Sequence, residues 1–175
     1  MADLIEKASS GRAKCRRCGE KIEKDALRFG ESVPNPFGEG DAMHWFHLAC
    51  AAEKRPEKLR AALEAHAEDV PERAELEHTV EAGLKNPKLV QVKHAERSPT
   101  GRASCQECHQ KIDKGALRVA IEREADVASM ASTSYLHLAC APKYLGVEGL
   151  NEKLQRTSKD LESSELEEVE RALAV

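Results

Sequence analysis

The sequence predicts a small α+β protein built as two tandem units, each a finger-like module followed by helices. Three observations lead there: six cysteines fall into two groups of three, the groups repeat at one fixed displacement, and helical patterns follow each group. The length of 175 residues accommodates one average domain or two small ones, and an aromatic content of 3% argues against one large core. Charged residues make up 33% of the chain and the formal charge is −4, which speaks against a polycation that coats nucleic acid through charge alone. No run of about 18 apolar residues occurs, so a membrane-spanning helix is excluded. The opening stretch MADLIEKASSGRAK has no apolar signal core, and secretion is not expected.

Cys15, Cys18 and Cys50 recur as Cys105, Cys108 and Cys140, and His47 recurs as His137, all displaced by 90 positions. Flanking residues repeat with them: GRAKCRRC (11–18) against GRASCQEC (101–108), KDALR (24–28) against KGALR (114–118), and HLACA at 47–51 and 137–141. A tandem duplication of one module accounts for this. Each copy reads C-x2-C-x28-H-x2-C. Two thiolates three residues apart grip one ion from a tight turn, and the His-x2-Cys pair closes a tetrahedron from a second element. Zn²⁺ suits three sulfurs and one imidazole, and four protein ligands leave no open position for catalysis. Disulfides fail on arithmetic, because three cysteines per module leave one unpaired in each. A chain without a secretory signal also sits where thiols stay reduced. The expected cofactor is therefore structural Zn²⁺, two per chain. His44 and His109 have no counterpart in the other copy, where Ser134 and Gly19 stand, and read as surface or supporting histidines. His66, His78 and His94 have no ligand-like neighbours and read as solvated.

Taken in order, KIEKDALRFG (21–30) and KIDKGALRVAIE (111–122) open on a Lys-Asp or Lys-Gly turn signal and become apolar, predicting short strands beside the metal. ESVPNPFGEGDAM (31–43) is dense in Pro and Gly and predicts an irregular loop, with READVASMASTS in its place in the second copy. WFHLACAAEK and YLHLACAPKY predict a short helix with His and Cys on one face. RPEKLRAALEAH (55–66) follows, with Pro56 suited to a helix start. DVPERAELEHTVEAG (69–83) then offers Asp69 as N-cap and Gly83 as the stop. Leu76, Val80 and Leu84 form an i, i+4, i+8 stripe expected to pack on the finger. EGLNEKLQRTS and DLESSELEEVERALAV repeat this more loosely. The expected organisation is a first finger with trailing helices at 1–84, a connector with an extended lead-in at 85–100, and a second such finger at 101–175. Each half has a sparse core, so metal binding, about 10–16 kcal/mol apparent at such a site, matters for folding.

The residues around the ligands resemble the poly(ADP-ribose) polymerase-type zinc finger, a family also found at the N-terminus of a DNA ligase. In the first copy the matching residues are Gly11-Arg12-Ala13, Asp25-Ala26-Leu27-Arg28 and His44-Trp45-Phe46-His47 leading into Cys50. In the second they are Gly101-Arg102-Ala103-Ser104-Cys105, Ala116-Leu117-Arg118 and His137-Leu138-Ala139-Cys140. TVEAG (79–83) is similar to the end of the helix that follows the finger in that family, and the resemblance covers nearly the whole chain. It implies recognition of DNA breaks or ends rather than of sequence, with no polymerase or ligase catalytic region. Basic residues would grip phosphates and an apolar loop residue would cap exposed base pairs. Carried over, Arg12, Arg28, Arg102 and Arg118 match backbone-contacting arginines. Lys14, Arg16 and Arg17 add a basic cluster in the first copy. Phe37 stands near the family's stacking position and reads equally as a loop anchor; Val127 or Met130 would substitute in the second copy. Trp45 and Tyr135 are expected to pack beside the metal.

The charge permits this reading when resolved by segment. Residues 1–50 carry eight basic and eight acidic side chains, and residues 91–146 carry eight and six, so the acidity lies in 51–90 and 147–175. Counting thiolates and zinc, each site adds about −1. Two function classes follow. The first is a non-catalytic, zinc-dependent DNA-binding protein that recognises strand breaks or ends, with repair proteins as further partners. The alternative is a protein-interaction scaffold whose zinc fingers are structural only, favoured by the acidic tail and the missing second stacker. No nucleophile–base constellation or phosphate loop supports an enzyme, and no membrane partner is expected. The expected location is the cytoplasm and nucleoid of a bacterium or the nucleus of a eukaryote.

Overall fold

The computed structural model describes residues 2–35, 38–123 and 132–174. The chain divides into two compact units, Met1–Lys85 and Asn86–Val175. Among the described residues no helix is long and apolar enough to cross a membrane.

In the first unit β1 (Leu4–Lys7), β2 (Leu27–Pro34) and β3 (Asp41–His47) form an antiparallel sheet in that spatial order. Strand alternation sorts its two faces. Ile5, Phe29 and Phe46 stand opposite one another on one face, all buried. One residue along, Glu6, Arg28 and His47 form the matching row on the other. The apolar row joins a core with Ala51 of α1 (Leu48–Lys54), Leu59 and Leu63 of α2 (Pro56–Ala65), and Leu76 and Val80 of α3 (Arg73–Lys85). Pro56 opens α2, where its fixed φ suits the first helical turn.

Three expectations change here. The β2–β3 pairing runs out to Pro34 opposite Asp41, so much of the segment 31–43, expected as an irregular loop, is strand. Glu31 anchors this extension: its buried carboxylate accepts hydrogen bonds from Arg55 Nε and Lys58 Nζ, each at 2.9 Å. α3 starts at Arg73 rather than after Asp69, because Glu72 at φ 56° interrupts any helix entering from that side. Gly83 does not stop α3, which continues to Lys85. A Cβ at Gly83 would lie 3.2 Å from two Pro56 carbons, so the bare backbone lets the two helices pack closely. The Leu76–Val80–Leu84 stripe does pack against this core.

In the second unit a short 3-10 turn (Pro87–Gln91) leads into β4 (Val92–Arg97), which pairs with β5 (Leu117–Arg123), and β5 with β6 (Ser132–His137). Part of the stretch 85–100 is thus an edge strand. A 3-10 turn (Leu138–Cys140) then runs into α4 (Ala141–Leu145), followed by α5 (Leu150–Thr157) and α6 (Ser163–Leu173). The same two rows cross the sheet: Ala95, Val119 and Leu136 on the apolar face, Glu96, Arg118 and His137 on the other. Without any phenylalanine, this unit fills its core with Ile121, Leu136, Leu145, Leu150 and Leu154. Each contributes about 1.5–3 kcal/mol on full burial. The edge strand is tied down: Ala95 N–H donates to Ser158 Oγ (2.8 Å), and Arg97 reaches Glu165 (2.7 Å) and Glu168 (3.0 Å) on α6.

Candidate metal centres and nucleic-acid interface

Each metal site is assembled from a knuckle and from the junction of a strand with a helix. In the first unit Lys14 and Lys21 pair across the base of the knuckle. The turn closes with Gly19 N–H donating to Cys15 O (2.9 Å) and Cys15 N–H to Glu20 O (2.8 Å). Gly19 takes φ 76°, the left-handed conformation that costs glycine least. His109 occupies that position in the second unit at φ 61°, which is uncommon for a residue with a side chain. His47 ends β3 and Cys50 sits in the first turn of α1, so one short connection delivers both remaining ligands.

His47 Nδ1 lies 3.5 Å from Cys18 Sγ and 3.9 Å from Cys50 Sγ; His137 Nδ1 lies 3.3 Å from Cys108 Sγ and 4.0 Å from Cys140 Sγ. Within each group of three cysteines and one histidine, all ligand atoms lie within 4.8 Å of one another, and all six cysteines are free thiols. Tetrahedral zinc with bonds of about 2.0–2.3 Å requires edges of about 3.4–3.8 Å. The two groups therefore fit two structural Zn²⁺ ions. His47 Nε2–H donates to Lys21 O (3.2 Å) and His137 Nε2–H to Lys111 O (3.1 Å), which leaves each Nδ1 lone pair facing the sulfurs. Charge agrees with geometry. A hydrogen bond from Cys50 holds the Cys15 thiol down at about 4 against the effect of burial, while Cys50 is pushed up. At Cys105 burial opposes ionisation, but the N–H groups of Cys108, His137 and Glu107 prevail and lower it to about 7; burial chiefly pushes Cys140 up to about 12. Cys15 and Cys105 are thus the thiols held down, while Cys50 and Cys140 are held up until a cation balances them.

An ion pair links each knuckle to the helix behind it. Arg17 lies 3.7 Å from Glu53 in the first unit; Glu107 lies 2.5 Å from Lys143 at the same positions in the second, with the signs reversed.

The sequence-predicted DNA contacts separate into two kinds. Exposure alternates along the first knuckle, with Arg12, Lys14 and Arg16 outward and Cys15 buried. None of these three basic side chains pairs with a carboxylate among the described residues. Arg102 is exposed in the same way, but Ser104 and Gln106 follow it. Arg28 and Arg118 are held differently from a free phosphate contact. Arg28 is 7% exposed, donates to Glu6 from Nε (3.2 Å) and Nη2 (2.6 Å), and lies 3.5 Å from the centroid of Trp45. Arg118 is 4% exposed, donates to Glu96 from Nε (2.9 Å) and Nη2, and lies 3.6 Å from the centroid of Tyr135. Trp45 and Tyr135 are thus floors for the arginines. Gly30 stands opposite Trp45, and a Cβ there would come within 2.7 Å of the indole; Ala120 stands opposite the smaller Tyr135. Phe37, Val127 and Met130 lie outside the described residues. His44 is half-buried and its basicity is depressed, first by burial and then by the charge of Arg16. The sequence reading missed the carboxylate partners of the two arginines. Glu6 and Glu96 do recur at the 90-residue displacement, which was the available signal.

Residues 6–86 match the family described as the Poly(ADP-ribose) polymerase and DNA-Ligase Zn-finger region. The chain is similar to the Poly [ADP-ribose] polymerase 1 of Gallus gallus, 33% identical over 134 residues covering 65% of this chain and 13% of the relative. It is 29% identical over 130 residues to the protein of the same name from Danio rerio, covering 65% of this chain and 12% of the relative. It is also 29% identical over 130 residues to the Poly [ADP-ribose] polymerase of Drosophila melanogaster, covering 66% and 13%. The chain thus spans about an eighth of the length of the curated relatives it matches.

Proposed function

We propose, from the premise that residues 6–86 match the poly(ADP-ribose) polymerase and DNA-ligase zinc-finger family, that the chain is a non-catalytic DNA-binding protein that recognises strand breaks or ends. The observation that supports this most directly is the outward row Arg12, Lys14 and Arg16 on a knuckle held by a closed metal site. Unpaired cations on a rigid turn meet phosphate without reading sequence, and each neutralised phosphate releases counterions. Zinc, when bound, supplies rigidity rather than chemistry, because its four ligands leave no position for substrate. The chain's own residues do the rest. The Nε2–H bonds of His47 and His137 orient the imidazoles, and Arg102 offers a second phosphate contact beside the second knuckle. Arg28 and Arg118 enter this proposal as braces: their guanidiniums clamp the strand that pairs with the ligand-bearing strand. Selectivity for breaks is assigned to Phe37, an aromatic side chain that would stack only where a base pair is exposed. Repair proteins are the proposed partners, and the proposed location is wherever the DNA is, nucleus or nucleoid.

The test titrates zinc-loaded protein with covalently closed circular, nicked and blunt-ended duplexes at two salt concentrations. The expected result is tighter binding to nicked and blunt-ended DNA, weakening steeply as salt rises. Equal affinity for all three removes break recognition. The acidic stretch 147–175, with four basic and eight acidic side chains, supports the scaffold reading, which gains if no duplex binds.

A further inference from the structure

We infer that the two units are unequal as DNA-binding elements: the first knuckle supplies most of the phosphate grip, and the second carries the same fold with that grip largely removed. The inference deepens the function proposed above and rests on it. Four comparisons at matching positions support it. The outward row on the first knuckle is Arg12, Lys14, Arg16; at the same displacement the second carries Arg102, Ser104, Gln106. Two of three positive charges are therefore absent from the second row, while Lys21 and Lys24 are matched by Lys111 and Lys114 and do not distinguish the units.

The third knuckle position, between Arg16 and Cys18, does not offset this. Arg17 is paired with Glu53, so its charge is balanced within the first unit. Glu107 stands there in the second unit, half-buried and paired with Lys143, so this position supplies no spare cation in either unit. The braced arginines differ in the same direction. Arg118 spends its remaining group on Ser98, with Nη1 3.3 Å from Ser98 Oγ. The first unit has Ala8 at that position, and Arg28 Nη1 takes no hydrogen-bond partner among the described residues. One donor is thus unpaired in the first unit and paired in the second, although both guanidiniums are buried as braces.

The geometry keeps the row intact in both units. The bridges Lys14–Lys21 and Ser104–Lys111 sit at the same place, and the backbone N–H at the second knuckle position donates to the strand behind it in each, Arg16 to Trp45 O and Gln106 to Tyr135 O, both at 2.9 Å. The backbone presents positions 14 and 104 alike, both exposed, while Gln106 is half-buried where Arg16 is exposed. The second row thus differs chiefly in charge and also in exposure at its last position. An exchange of side chains should therefore move binding without moving the fold.

The experiment measures affinity for a nicked duplex against salt concentration, using the full zinc-loaded chain and two exchange variants. Lys14→Ser with Arg16→Gln gives the first knuckle the residues of the second, and is expected to weaken binding at least tenfold and lower the salt slope by about two. Ser104→Lys with Gln106→Arg makes the reciprocal change and is expected to strengthen binding and raise the slope by a similar amount. Zinc content of two per chain in each variant certifies the fold. If wild-type chain binds but the first exchange leaves affinity within twofold, or Arg102→Ala costs more than that exchange, the inequality is wrong and the DNA-binding reading stands. If wild-type chain binds no duplex, both fall together.

Discussion

The row Glu6–Arg28–His47 and the row Glu96–Arg118–His137 are the same construction in two cores of different make. In the first unit the brace lies on an indole, cleared by Gly30, above a core containing the Phe29–Phe46 pair at 6.2 Å. In the second it lies on a phenol above a purely aliphatic core, where Val119 and Leu136 occupy the phenylalanine positions. Glu31, buried with Arg55 and Lys58 around it, becomes Ile121. The metal ligands, the ion-paired guanidinium and the aromatic floor stay in place while the packing beneath them is exchanged. What the module requires is a rigid platform behind the histidine; which hydrophobic groups fill the space is secondary, provided volume is matched.

The largest expected effect comes from the ligands. Cys50→Ala should empty the first site and unfold that unit while the second remains, and Cys140→Ala should do the reverse, since structural zinc contributes about 10–16 kcal/mol to folding at such sites. Zinc content falling from two to one per chain, with loss of half the dispersed amide signals, checks both. A chain that keeps all its dispersed signals after either change breaks the picture of two metal-dependent units.

Next come the braces. Arg118→Ala should cost about 2–4 kcal/mol in denaturant unfolding and Arg28→Ala somewhat less. Both strand a carboxylate, but only Arg118 also deserts a serine hydroxyl. Equal losses would erase that distinction.

Acidity should separate the units in a further way. Glu31 and Glu96 both have folded-state values lowered below 4.5; burial opposes this in each, and the cations beside them outweigh it. Their contribution is therefore full above 4.5 and lost as pH falls through the lowered folded value. In the zinc-loaded chain, Glu31→Ile should flatten the acid response of the first unit alone, read as the pH dependence of its amide signals. An unchanged profile would place the acid sensitivity elsewhere. The smallest effect belongs to His109→Gly, expected to stabilise the second unit by about 0.5–1 kcal/mol because it relieves a left-handed side-chain residue, seen as a rise in its denaturation midpoint.

The ligand set was legible in the sequence because coordination chemistry dictates both residue type and spacing, and the 90-residue displacement printed it twice. Helices were legible where apolar spacing is regular, as at Leu76 and Val80. β1 and β4 were not: LIEK and VKHAER are short and half polar, and they become strands only because β5 or β2 offers an edge and a buried row to complete. The end of α3 was misread at Gly83 because local stop chemistry cannot register a proline packed on it from another helix. The enclosure of Arg28 and Arg118, expected as phosphate contacts, was not legible for a related reason. Sequence displays their charge, but not the acid 22 residues earlier or the ring 17 residues later that enclose it.

The reversed ion pairs at the knuckles bear on how such a chain avoids tangling. Two modules of one fold on one polypeptide invite a knuckle to dock on its neighbour's helix, a characteristic trap for tandem repeats. That wrong docking would set Arg17 against Lys143, or Glu107 against Glu53, like against like. In the finished fold the Glu107–Lys143 pair, with its lysine exposed, is worth little, whereas Glu53 is buried behind Arg17; in both units the sign of the pair has a second role. As a mark of self against neighbour it is worth more, because each error also forfeits the correct partner. Reversing one pair, Glu107→Arg with Lys143→Glu, would leave both native contacts satisfied yet make the modules interchangeable, and a lower yield of two-zinc monomer on refolding would reveal the loss; an undiminished yield would show that sign plays no part.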